Sequence, residues 1–153
     1  MWEPFQRYRA LDPHARGLFR YAVALFPLIR VHLRSRGYQK TQQWLRKRLS
    51  ASPQAPSSNE PSNVTLTCRM VNAAAHYGLL RPTCLEESLA LWYFLRRQGI
   101  PNKLRIGVRK IADKFEAHAW VEYEGEALNQ SEEPHKHYSA FDSEFFEPPG
   151  DGT

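Results

Sequence analysis

Around Pro101 the spacing of apolar residues changes from every third or fourth position to every second, and this change constrains the fold most. Before it, Leu18, Tyr21, Ala22, Leu25, Leu28 and Ile29 recur at the interval of one helical face, so residues 14–49 read as helical. Pro27 is expected to break or kink that run, because it lacks an amide proton and its ring crowds the turn before it. Gly37 sets off a last basic piece in which Trp44, Leu45 and Leu49 face inward. From Ala51 to Asn63 the composition turns to Ser, Pro and Asn, which reads as a linker. Helix resumes near Val64 and runs to about His76, with Gly78 as its stop. A second helix is expected from Cys84 to Gln98, closed by Gly99 and Pro101.

Beyond Pro101, Leu104, Ile106 and Val108 alternate, and Phe115 to Tyr123 reads as a second strand. Glu124-Gly125 suits a tight hairpin turn, returning the chain as a third strand over Ala127 to Gln130. After Pro134 no regular element is expected. Helices first and an antiparallel sheet afterwards define an α+β domain. At 153 residues, with 42% apolar residues, the chain has room for one folded unit with a real core. Within it we distinguish a basic helical region (1–50), a linker (51–63), a core (64–147) and a tail (148–153).

Charge is unevenly distributed. Residues 1–50 carry eleven Lys or Arg against Glu3 and Asp12, a balance of +9. Residues 115–153 carry ten Asp or Glu against Lys136, a balance of −9. These ends are suited to attract each other or to meet different partners. The basic end contains no recognised nucleic-acid module, and none is expected to bind there. No stretch has the length or purity of a bilayer span, since Arg20 and Arg30 interrupt the apolar run from Leu18 to Leu33. No signal peptide is visible. The two cysteines, Cys68 and Cys84, are too few for a disulfide framework and fit a reducing cytoplasm.

The two cysteines differ in setting. Cys68 lies in mid-helix among Leu66, Met70 and Val71, a position for a buried structural thiol. Thr83-Cys84-Leu85-Glu86 has the form of a capping box, with Thr83 as N-cap and Glu86 three residues on. Cys84 then takes the first helical position, where unsatisfied amides and the positive helix end favour a thiolate, the nucleophilic form. Glu86 and Glu87 suit a helix start but oppose a second anion, and Arg81 is the cation nearest in sequence to offset them. On the second strand, Ala117-His118-Ala119 holds an imidazole between small residues that leave room for another element or a substrate. His135 and His137 lie in a charged segment, and with Cys84 they have no metal-ligand spacing. Nor is there a phosphate-binding glycine loop. Neither metal nor cofactor is expected.

The blocks Cys84-Leu85-Glu86-Glu87-Ser88-Leu89-Ala90-Leu91, Gly99, Arg105-Ile106-Gly107-Val108 and Ala117-His118-Ala119-Trp120-Val121-Glu122, in that order, resemble the transglutaminase-like (papain-like) core. More narrowly, over residues 64–131, they resemble the leader peptidases of lasso-peptide biosynthesis, the C-terminal type of lasso B protein. The resemblance implies a bacterial cysteine peptidase with Cys84 as nucleophile and His118 as base. Its substrate would be the leader region of a ribosomally made precursor peptide. Its partners would be a separate leader-recognition protein and an asparagine-synthetase-like cyclase that closes the macrolactam. Two other readings remain: an acyl transferase on the same core, and a peptide-binding module that has lost catalysis.

The family commonly carries an Asp twelve positions after the histidine, to orient it. Here that position is Gln130, preceded by Asn129. A two-residue loop at Glu124-Gly125 puts Asn129 on the face of His118, whereas a three-residue loop puts Gln130 there. An amide can orient imidazole, as in Cys-His-Asn arrangements. Motif position favours Gln130, with Asn129 as the alternative.

Overall fold

The computed structural model describes residues 3–51, 60–129 and 139–141. Four helices come first: α1 (Glu3–Ala10), α2 (Pro13–Ala51), α3 (Glu60–Tyr77) and α4 (Cys84–Arg97). Four strands follow: β1 (Lys103–Ile111), β2 (Lys114–Tyr123), β3 (Glu126–Ala127) and β4 (Ser139–Phe141), in an antiparallel sheet of order β3-β2-β1-β4. This is the expected α+β arrangement.

Asp12 starts α2 by accepting the Ala15 amide at 2.8 Å, with Pro13 at the first helical position, where its missing N–H costs nothing. Pro27 does not break the helix, contrary to expectation; the break falls at Gly37, with φ 82° and ψ 176°. Buried Ala22, Leu25, Phe26 and Ile29 carry one apolar face past the proline, and packing outweighs the lost hydrogen bond. Gly37 takes a left-handed backbone at little cost. The two arms of α2 then fold toward each other, since the rings of His32 and Trp44 stack with centroids 4.1 Å apart. Leu28 leaves the expected face and is exposed, while Leu45 is fully buried and Trp44 and Leu49 are half-buried.

The centre of the molecule is α4. Leu89 through Leu95 are buried without interruption, so the helix is covered on every side rather than along one stripe. One core joins it to Ala22, Leu25, Phe26, Ile29 and Leu45 of α2, Val64, Val71 and Ala74 of α3, and Leu104 and Val121 of the sheet. Gln98 ties α4 to α3 by donating to Thr67 Oγ1 at 2.9 Å. Leu89→Ala is therefore expected to cost about 2–5 kcal/mol, because the site is too enclosed to collapse. Urea unfolding measures it, and a loss below about 1 kcal/mol would mean that α4 is less tightly held than the burial indicates.

Gly99 (φ 74°) ends α4 in a Schellman turn. Its amide donates to Arg96 O at 3.0 Å, and that of Ile100 to Leu95 O at 2.9 Å. The chain then folds back into β1. A two-residue turn at Ala112-Asp113 joins β1 to β2, pairing Ile111 with Lys114. A second, at Glu124-Gly125, pairs Tyr123 with Glu126, the two-residue register. Regular β3 pairing is shorter than expected and ends at Ala127, followed by one further bond from the Leu128 amide to Val121 O. Strand β4 lies in the stretch after Pro134, where no element was expected.

Candidate functional site

The helix that begins at Cys84 is built as its local sequence demands. Thr83 has extended φ/ψ, its hydroxyl accepts the Glu86 amide at 3.3 Å, and its own amide donates to Glu86 Oε2 at 2.9 Å. Both halves of the capping box are present. Cys84 is half-buried at the first helical position.

Nothing in the local sequence signals what sits on Glu86. Arg30, from α2, grips both carboxylate oxygens, Nε to Oε1 at 3.0 Å and Nη2 to Oε2 at 2.9 Å. The same Nη2 donates to the carbonyl of Arg81 at 2.7 Å. Arg30 is thus an offsetting cation beside Glu86 that the sequence did not suggest, and Arg81 joins this cluster through its backbone oxygen. Burial pushes the Glu86 carboxyl up, but hydrogen bonds from Arg30 and from the Thr83 amide, with the charges of Arg30 and Arg34, outweigh it and leave the group below its ordinary range. No local pattern reaches across the 56 residues between Arg30 and Glu86.

The other cysteine is differently placed. Cys68 lies against the core, and burial pushes its thiol up to about 11. Such a thiol is a poor nucleophile at neutral pH. A cavity of about 500 Å³ lies beside α4 and is lined by Cys68, Arg69, Asn72, Glu87, Leu128 and Asn129, among others. Burial raises the carboxyl of Glu87 above its ordinary value.

His118 is half-buried on β2 opposite Gly107 of β1, and stacks toward Trp120 with ring centroids 6.0 Å apart. Trp120 Nε1 donates to Glu122 Oε1 at 3.1 Å, and Glu122 lies 3.8 Å from Arg105. Strand alternation puts His118, Trp120 and Glu122 on one face and Ala117, Ala119 and Val121 on the other. The second face meets α4, since Val121 and Leu104 share its core.

Asn129 links that strand to the cysteine helix. Its Oδ1 accepts the Val121 amide at 2.8 Å, and its Nδ2 donates to Ser88 Oγ at 2.8 Å. The side chain of this alternative third residue is thus engaged with Ser88 and the backbone of Val121. Gln130 lies outside the described residues, as do His135 and His137. Ser88, near the start of α4, is tied through Asn129 to Val121, and Arg96, near its end, lies beside Tyr123, Glu124 and Gly125, so β2 follows the general direction of α4. Cys84 stands about 6 Å of helix before Ser88, and His118 about 10 Å of strand before Val121. Both therefore lie on the same side of the Asn129 link along their elements. Among the described residues no strand pairs the outer edge of β2 ahead of Val121.

Residues 25–141, more than half of the chain, match the family model of the transglutaminase-like superfamily. The protein belongs to that superfamily, which includes cysteine proteases and supports a protease-type or acyltransferase-like activity. No curated protein and no solved structure matches it significantly. Among the described residues no helix is long and apolar enough to cross a membrane.

Proposed function

We propose that the protein is a cysteine peptidase that removes the leader from a ribosomally made lasso-peptide precursor. The observation that carries the chemistry is Cys84 at the first position of a capped helix, within a chain of the transglutaminase-like superfamily. In this cycle His118 is the base that takes the thiol proton. The thiolate attacks the scissile carbonyl, His118 returns the proton to the leaving amine, and a thioester remains on Cys84. Water, deprotonated by His118, then releases the acid and restores the thiol. The Cys84 amide, unpaired within its own helix, is a donor for the tetrahedral oxyanion. The narrower substrate rests on the ordered blocks from Cys84 to Leu91 and from Ala117 to Glu122. A cytoplasmic site, beside a cyclase that uses the freed amine, follows from that reading.

The superfamily match also supports acyl transfer, in which an amine rather than water resolves the thioester. Product mass separates the two: hydrolysis yields a leader and a core peptide, whereas transfer adds mass to an amine-bearing partner.

The basic helices favour a separate, acidic recognition protein as activator. The precursor should be incubated with this chain, with and without that protein, and the fragments read by mass spectrometry. Two fragments are expected, formed slowly alone and many times faster with the partner. Activation should fade as salt rises, because the screening length falls from about 10 Å at 0.1 M to about 3 Å at 1 M. Arg46 and Arg48 are poor probes of this surface, since they lie over the rings of Trp92 and Trp44. Arg36, Lys40 and Lys47 are exposed. Reversing these three to Glu should raise the partner concentration needed. An intact precursor under all conditions would sink the peptidase reading, and equal rates with and without the partner would sink the split system.

A further inference from the structure

The capping box at Thr83 creates an electrostatic conflict. Glu86 must be present to take the Thr83 amide, yet it sets a carboxylate two residues from Cys84. An anion there works against the positive helix end that favours a thiolate. Arg30 answers both requirements with one side chain. Its fork occupies both oxygens of Glu86 while leaving the bond to the Thr83 amide in place, and its Nη2 also fastens the Arg81 carbonyl just ahead of the helix. Glu86 is 5% exposed, so water contributes little to masking its charge. The Arg30 guanidinium therefore does so.

We infer that Arg30 is a positioning residue for Cys84: by neutralising Glu86 and tethering the chain at Arg81, it preserves a helix start that favours the thiolate. This rests on the reading of Cys84 as the nucleophile. It adds that reactivity at Cys84 is set partly by α2, an element remote in sequence. It also gives Arg30 a role beyond fold stability, because the geometry couples a bidentate ion pair to the first turn of the cysteine helix. The other charged or titratable groups on elements packed around this turn are Glu87 on α4, Arg34 on α2, Arg69 on α3, Arg81 in the connection and His118 on β2. All of them stay unchanged in the variants below.

The test uses the full chain carrying Cys68→Ala, so that only Cys84 reacts with iodoacetamide, and follows alkylation across pH. Arg30→Gln should move the alkylation profile to higher pH, with a reaction about tenfold slower at its foot, the factor that accompanies a one-unit displacement. Glu86→Gln should move it the other way, because glutamine still fills the capping box but brings no charge. The double variant Arg30→Gln/Glu86→Gln should return to within about twofold of the parent, and Arg30→Lys should fall between parent and Arg30→Gln. Circular dichroism checks that each variant folds. If Arg30→Gln fails to fold, the opposite shift in Glu86→Gln and the intermediate one in Arg30→Lys still decide the matter. Identical profiles in all folded variants, or a double variant as slow as Arg30→Gln, would overturn the inference and leave Arg30 a purely structural tether. Precursor cleavage is not the readout, so a chain that cuts nothing would end the peptidase reading while leaving this result interpretable.

Discussion

Cys84→Ala is expected to abolish leader cleavage, by at least about four orders of magnitude, with the fold intact. Without the sulfur no thioester forms, and nothing else at the start of α4 is a nucleophile of comparable strength. The substitution is mild structurally. Alanine is the best helix former, and the half-buried sulfur makes no hydrogen bond that the capping box needs. Stability should stay within about 1 kcal/mol of the parent, as for a site away from the core. Cys68→Ala supplies the control. Its thiol is held at about 11 by burial, so removing it should leave most of the cleavage rate while costing some packing against α4. Both variants are read by mass spectrometry of precursor digests beside thermal unfolding. Cleavage by Cys84→Ala at the parental rate, or its loss in Cys68→Ala with the fold intact, would remove Cys84 from the mechanism.

What the sequence disclosed and what it hid divide along the range of the interactions. The start of α4 was legible because Thr83 and Glu86 satisfy each other within one turn. Its end was legible because Gly99 takes a backbone that side-chain-bearing residues avoid. The turn at Glu124-Gly125 was legible for the same reason, but its two-residue register was decided only by the pairing of Tyr123 with Glu126. Ala112-Asp113 makes an equivalent turn without a glycine, with φ 48° and 64°, so no local signal marked it. Pro27 misled because its local cost is real, but the buried face on either side outweighs it. The tertiary links were hidden altogether. Arg30 to Glu86 and Asn129 to Ser88 join residues 56 and 41 positions apart, and an arginine or an asparagine announces no partner. The face of His118 was readable from alternation alone, and its position opposite Gly107 only from the register of β1 and β2.

His118→Ala should be nearly as damaging as the loss of Cys84, falling by about two to four orders of magnitude for each proton transfer that it serves. The imidazole has two successive roles in the proposed cycle, accepting the thiol proton and delivering it to the leaving amine, and a third when water resolves the thioester. A cavity the size of the ring remains in His118→Ala, opposite Gly107, so added imidazole should restore part of the rate. Asn129→Ala should behave differently, because its amide holds Ser88 and the Val121 backbone together. Losing two part-buried hydrogen bonds should cost roughly 1–3 kcal/mol of stability, and activity per folded molecule should fall far less than in His118→Ala. Gln130→Ala should cost less than a triad aspartate normally does, since a neutral amide stabilises the imidazolium less than a carboxylate. The three variants are compared by single-turnover cleavage and urea unfolding on the same preparations. Full activity in His118→Ala would exclude it as the base. If Asn129→Ala were stable yet as inactive as His118→Ala, its amide would have to leave Ser88 and turn to the imidazole during the reaction, and Asn129 would take the third position in place of Gln130.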